Sequence, residues 1–223
     1  WDMHYNTSEL LRAQGLNAHY LALGFSSRYQ ERLALGSPIE RTLPLRSLAS
    51  SVTSATTCYA DRPIDILFVG TISPRRAAFF ANNASFFARY ECFIYLPEGN
   101  TPFLESDERT LDFRQMAGLA ARSKIMINIH RDSARYLEWQ RIATLGINCG
   151  TLIVSEGCDP CPVLHPGLSY VDVPLHLIPE TCAAHLQDVR KASAFVTRST
   201  ADFQQRLCLH HDIAELIGCT VNI

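Results

Sequence analysis

The residues best placed to do chemistry fall in three short stretches. Gly70-Thr71-Ile72-Ser73-Pro74-Arg75-Arg76 joins an apolar run to a helix start. Free backbone N–H groups at a helix N-terminus and the positive end of its dipole make a local anion site. Arg75 or Arg76 can add a forked guanidinium to a phosphate. The stretch has neither a Walker A nor a GxGxxG pattern, and a plain capped helix with two solvated arginines fits it equally. His130-Arg131-Asp132 closes another apolar run, where His130 is either a ligand contact or a satisfied rim histidine. Glu138 stands near the front of the helix that follows. It is either a first-turn acid complementing the dipole or a carboxylate that accepts the hydroxyls of a ribose, and spacing does not choose.

Other candidates are weaker. Cys158-Asp159-Pro160-Cys161 with His165 resembles half of a zinc site, but no second CxxC or HxxxH pair completes four ligands. It also follows a late strand, unlike a thioredoxin-type motif. His210 and His211 are adjacent and share no helical ligand face. With no HExxH motif, no GxSxG elbow and no evident carboxylate pair, no metal site and no hydrolase is expected. The catalytic residues stay unassigned.

The elements that must position these groups are legible from periodicity. Continuous apolar runs at 64–70, 91–97, 124–130 and 150–156 read as buried strands, with a short fifth at 167–173. Helices are expected at 73–90, with Ser73 as N-cap and Pro74 at the first helical position, then at 106–123 and 136–148. The tail from 178 to 217 is expected to be mostly helical. This alternation calls for an α/β fold with a doubly wound, Rossmann-like parallel sheet. Ligands in such sheets lie beyond the carboxyl ends of the strands, which marks Gly70–Arg76, His130–Glu138 and Ser155–Cys161. Residues 7–15 read as a helix capped by Thr7 or Ser8, with Leu10 and Leu11 on one face and Gly15 as its stop. Residues 26–63 show no defensible period and read as a linker.

A formal charge of −2, with 19% charged and 47% hydrophobic residues, offers no bulk attraction to nucleic acid. No run approaches the ~20 apolar residues of a membrane span, and no signal peptide opens the chain. The eight cysteines are scattered and partly embedded in apolar runs, which suggests reduced thiols and a cytoplasmic setting. The start at Trp1 suggests a piece of a longer protein.

Taken together, these stretches resemble the C-terminal, donor-binding half of a GT-B glycosyltransferase, most nearly the CgeB-like and family-4-like bacterial proteins. "DILFVGTISPRR" resembles the first strand and turn of the donor domain, and "LEWQRIATLGINCGTLIVSE" resembles its last motif. "LLRAQGLNAHYLALGF" is similar to the interdomain segment, and "LAARSKIMINIH" to the strand leading into the donor pocket. The Glu-x7-Glu pattern of retaining members is absent.

The resemblance implies a division into an interdomain segment, 1–63, and a nucleotide-sugar-binding domain, 64–223. It implies that Gly70, Thr71, Arg75 and Arg76 face the donor diphosphate. Glu138 would hold ribose or sugar, and His130 would line the same cleft. It implies a nucleoside-diphosphate sugar as substrate and a carbohydrate, protein or lipid acceptor, with no cofactor and no bound metal. The alternative is a non-catalytic GT-B-like module that binds a partner protein or carbohydrate.

Overall fold

The computed structural model describes residues 2–25, 58–98 and 111–207. Of the linker expected at 26–63, residues 26–57 lie outside the described residues, as do the start of the helix expected at 106–123 and the tail beyond 207. At the linker's end Tyr59–Asp61 form a short helical turn with Tyr59 buried against the sheet. Five strands form one all-parallel sheet: β1 (Ile64–Val69), β2 (Cys92–Tyr95), β3 (Ser123–Asn128), β4 (Leu152–Glu156) and β5 (Val171–Val173). Their order is β2-β1-β3-β4-β5. The chain lays β2 on one side of β1 and β3 on the other, so a topological switch point falls between β1 and β3. In open α/β sheets that crevice, beyond the carboxyl ends, is where ligands bind.

Strand composition follows from burial on both faces. Ile66 and Phe68 of β1, Ile125 and Ile127 of β3, and Leu152 and Val154 of β4 enter one core. Leu67, Met126 and Ile153, the residues alternating with them, enter the other. The first core is covered by α2 (Pro74–Asn82), α3 (Ala84–Phe87), α5 (Ile178–Gln187) and α6 (Val189–Arg206). The second is covered mainly by α4 (Phe113–Ala121) and by the helical crossover between β3 and β4. Each isoleucine or leucine taken fully out of water contributes about 1.5–3 kcal/mol.

Local chemistry sets the ends of these helices. Asp112 and Gln115 close a reciprocal capping box at the start of α4. Asp188 caps α6 by accepting from the Lys191 N–H. The helix expected over 73–90 is broken in two. The Asn83 side chain donates to the Phe79 carbonyl at 2.8 Å, and its own carbonyl accepts from Phe86 and Phe87. Asparagine thus ends one helix and starts the next.

The N-terminal helix α1 (Tyr5–Ala13) begins two residues before Thr7. Asp2 Oδ1 accepts the His4 N–H at 2.6 Å and fixes the turn upstream. Ser8 is buried, donating to the Tyr5 carbonyl, so neither Thr7 nor Ser8 is the cap. Leu10, expected on a packed face, is 60% exposed. The segment is tied to the sheet domain by Trp139 Nε1, which donates to the Met3 carbonyl at 2.8 Å, and by Phe25 N–H, which donates to Leu207.

The crossover between β3 and β4 departs most from expectation. Residues 136–138 are not helical. Leu137 and Trp139 are buried while Glu138 between them is only partly so. The Glu138 carbonyl accepts from the Arg141 and Ile142 N–H groups, so the helical crossover starts from Glu138. A π-helical segment, Gln140–Gly146, follows and tightens into a short turn through Cys149. Gly150 then takes the left-handed conformation, φ 62°, that lets the chain enter β4.

Gly146 packs against that strand. A Cβ there would lie 2.0 Å from Ile153 Cδ1 and 2.6 Å from its Cγ1. Gly146→Ala is therefore expected to cost about 1–3 kcal/mol in urea unfolding through overpacking. In an Ile153→Ala background, which removes both clashing atoms, most of that cost should vanish.

Candidate functional site

The carboxyl end of β1 carries Gly70 and Thr71, followed by the first turn of α2. Ser73 caps that helix by accepting the Arg76 N–H at 3.3 Å, and Pro74 occupies its first position. Arg75 and Arg76 therefore sit in a first turn where the dipole favours acids. Such a mismatch is expected where a site needs positive charge.

The two arginines are held very differently. Arg75 forms a two-pronged ion pair with Glu156 at the end of β4, and donates to the His130 carbonyl at 3.2 Å. Glu156 also accepts the His130 backbone N–H. The charge of Arg75 is thus neutralised by a carboxylate, and its pKa is raised mainly by that bond. Arg76 is 2% exposed and bonds to backbone carbonyls. Nε and Nη2 donate to Ile129 at 3.0 and 2.8 Å, and Nη1 donates to Thr71 at 2.8 Å. Burial lowers its pKa to about 10, neighbouring Arg141 adds to the drop, and Glu138 offsets it. At neutral pH Arg76 keeps its charge.

Arg141 completes the arrangement. It is buried at the start of the π-helical segment, and its Nη1 donates to Asn128 Oδ1 and, at 3.3 Å, to the Ile129 carbonyl. Its Nη2 lies 3.4 Å from Glu138. The guanidinium carbons of Arg76 and Arg141 stand 5.4 and 5.5 Å from the centroid of Phe68, within cation–π range. Gly70 makes room for both. A Cβ there would sit 3.1 Å from Arg76 Nη1 and 3.3 Å from Arg141 Nη2.

These groups line a cavity of about 370 Å³ beyond the carboxyl ends of β1 and β3, within the usual range for small-molecule sites. Gly70, Thr71, Arg76 and Glu138 are in its wall, joined by Arg141 and Arg131. The opposite wall is apolar, with Tyr95, Pro97, Leu111 and Met116. A neighbouring cavity of about 470 Å³ shares Tyr136, Glu138 and Gln140. Burial and a hydrogen bond to Glu138 push the Tyr136 phenol up to about 12, so it stays protonated.

Two of the six residues singled out from the sequence do not line this cavity. Arg75 is turned to Glu156. His130 is 1% exposed, its ring against Tyr136 and its Nε2 3.0 Å from the Gly157 carbonyl. A carbonyl only accepts, so Nε2 carries the proton and buried Nδ1 is left without a partner. Arg141, not among those six, is the main residue of the cavity wall left out of that set. The sequence signal that marks it is Asn128, a polar residue inside the apolar run "KIMINIH".

Comparison with known proteins bears on the fold. No protein-family model and no curated protein matches the chain. The crystal structure of Anabaena HepE in complex with UDP-glucose superposes with a TM-score of 0.56 over 92% of this chain, at 8% identity. The likeness is one of fold. The chain spans 57% of the length of HepE, and its five-stranded parallel sheet with a helical C-terminal part is Rossmann-like.

Among the described residues, no group of three or more His, Cys, Asp or Glu side chains is placed to hold a metal ion. No described helix is long and apolar enough to cross a membrane. Burial holds the Cys158 thiol up at about 11 and the Cys149 thiol at about 12. Alkylation at pH 8 with peptide mapping is expected to label exposed Cys58 in the native chain. Cys149 and Cys182 should be labelled only after unfolding.

Proposed function

We propose that this chain is the donor-binding part of a GT-B-type glycosyltransferase, holding a nucleoside-diphosphate sugar for transfer to a carbohydrate, protein or lipid acceptor. One observation carries the reading. Two buried guanidiniums, Arg76 and Arg141, are held mainly by uncharged acceptors at the sheet's switch point, facing a cavity with one apolar wall. A diphosphate matches that charge, and a nucleobase matches the apolar wall. The fold likeness to a protein solved with UDP-glucose bound supports the same substrate class.

In this reading the backbone following Gly70 and the guanidiniums of Arg76 and Arg141 hold the diphosphate. Glu138, braced by Tyr136 and Arg141, accepts hydroxyls of the ribose or the sugar. When the bond to the sugar breaks, negative charge grows on the leaving phosphate oxygen. Fixed guanidiniums in a site shielded from water stabilise that charge without reorganising. They supply what a divalent cation supplies elsewhere, so the proposed transfer is metal-independent.

Calorimetric titration with UDP, GDP, ADP and their hexose conjugates tests the reading. The wild-type chain is expected to bind at least one sugar nucleotide. Arg141→Ala should weaken that binding by about 1.5–3 kcal/mol, the scale of a charged hydrogen bond. Arg75→Ala, removing a residue outside the cavity wall, should change it by less than about 0.5 kcal/mol. Absence of binding across the panel contradicts the proposal.

A further inference from the structure

Asn128 ends β3 with a side chain that no role described so far requires. It is 1% exposed. Its Oδ1 accepts from Arg141 Nη1, and its Nδ2 donates to Ser155 Oγ at 2.9 Å, on the residue directly across from it in β4. Ser155 Oγ in turn donates to the Glu156 carbonyl at 2.7 Å. Every polar group in this short chain has a partner, so the amide is fixed from both sides.

A carboxylate would suit a buried guanidinium better than an amide if stability alone were at stake, because an unpaired buried charge is costly. The neighbouring pair shows that contrast, since Arg75 meets Glu156 two-pronged. At Arg141 the one carboxylate, Glu138, stands 3.4 Å from a single nitrogen, and the contact from β3 is a neutral amide, which fixes the guanidinium's place without neutralising the Arg76–Arg141 pair. We infer that Asn128 is a positioning residue for anion binding: it orients Arg141 toward the cavity without adding a second carboxylate to that of Glu138, so Arg76, Arg141 and Glu138 together keep a net positive charge. The inference rests on the reading of the cavity as a diphosphate site.

The test uses the whole chain, with inorganic pyrophosphate and UDP as probes, and five proteins: wild type, Asn128→Asp, Arg141→Ala, and Asn128→Ala alone and combined with Arg141→Ala. Asn128→Asp is nearly isosteric and keeps a partner for Arg141, so its melting temperature should stay close to that of wild type. Its pyrophosphate affinity should fall by on the order of tenfold or more, because the new carboxylate neutralises the guanidinium. The salt dependence of its binding should flatten for the same reason. Asn128→Ala should weaken binding by about tenfold in the wild-type background and have little effect once Arg141 is alanine, the coupling a positioning role requires.

Unchanged pyrophosphate affinity in Asn128→Asp overturns the inference, and so does an Asn128→Ala cost that persists without Arg141. Wild-type binding of pyrophosphate without any nucleotide binding overturns the nucleotide reading and leaves this inference standing if the cycle shows coupling. A wild-type chain that binds neither probe overturns this inference, and the nucleotide reading falls with it when the rest of the nucleotide panel also fails to bind.

Discussion

The carbonyl oxygen of Ile129, one residue past the end of β3, accepts from two arginines of different elements. Arg76 reaches it from the first turn of α2, and Arg141 from the helical crossover leading to β4. Like charges brought this close repel, and the pKa of Arg76, lowered first by burial, is lowered further by Arg141. The pair persists because carbonyls, the Asn128 amide, the Phe68 ring and, more distantly, Glu138 surround it. Remove any one of these supports and the charges have reason to separate. The switch point between β1 and β3 is what brings the three chain segments to one place.

The same economy of contacts divides the edge of the sheet into two regions. On the β4 side, Arg75, Glu156 and the His130 backbone form a neutralised cluster that ties the ends of β3 and β4 together. On the β1 side, Arg76 and Arg141 retain net positive charge toward the cavity. Adjacent arginines in the sequence thus do opposite jobs. Which one does which is decided by the carboxylate that folding places in reach, which for Arg75 comes from a residue 81 positions away.

That distance explains what could be read from the sequence and what could not. The alternation of strands and helices, the parallel sheet and the turn at Gly70 follow from local pattern, and β1, β3 and β4 fall within two residues of their expected ends. Glu138 was legible as a residue at a strand's carboxyl edge. The break at Asn83 and the non-helical path through 136–138 were not, because each depends on a side chain finding a backbone or core partner only in the folded chain. Arg141 was not legible as a cavity residue for the same reason. Its neighbours Phe68, Gly70 and Asn128 come from two other strands and the turn between them, and three-residue spacing to Glu138 shows only the ion pair. Polar Asn128 within an apolar strand, and basic residues in a helix's first turn, are the local inconsistencies that mark this region in the sequence.

The central claim, that Arg76 and Arg141 together hold a diphosphate at the switch point, is tested most directly by a crystal structure of the chain grown with UDP. The expected result is diphosphate density above Gly70, with oxygens at hydrogen-bonding distance, about 2.7–3.2 Å, from the Arg141 guanidinium and beside that of Arg76. Diphosphate density on the Arg75–Glu156 side of β3, or UDP bound away from the β1–β3 crevice, would contradict it.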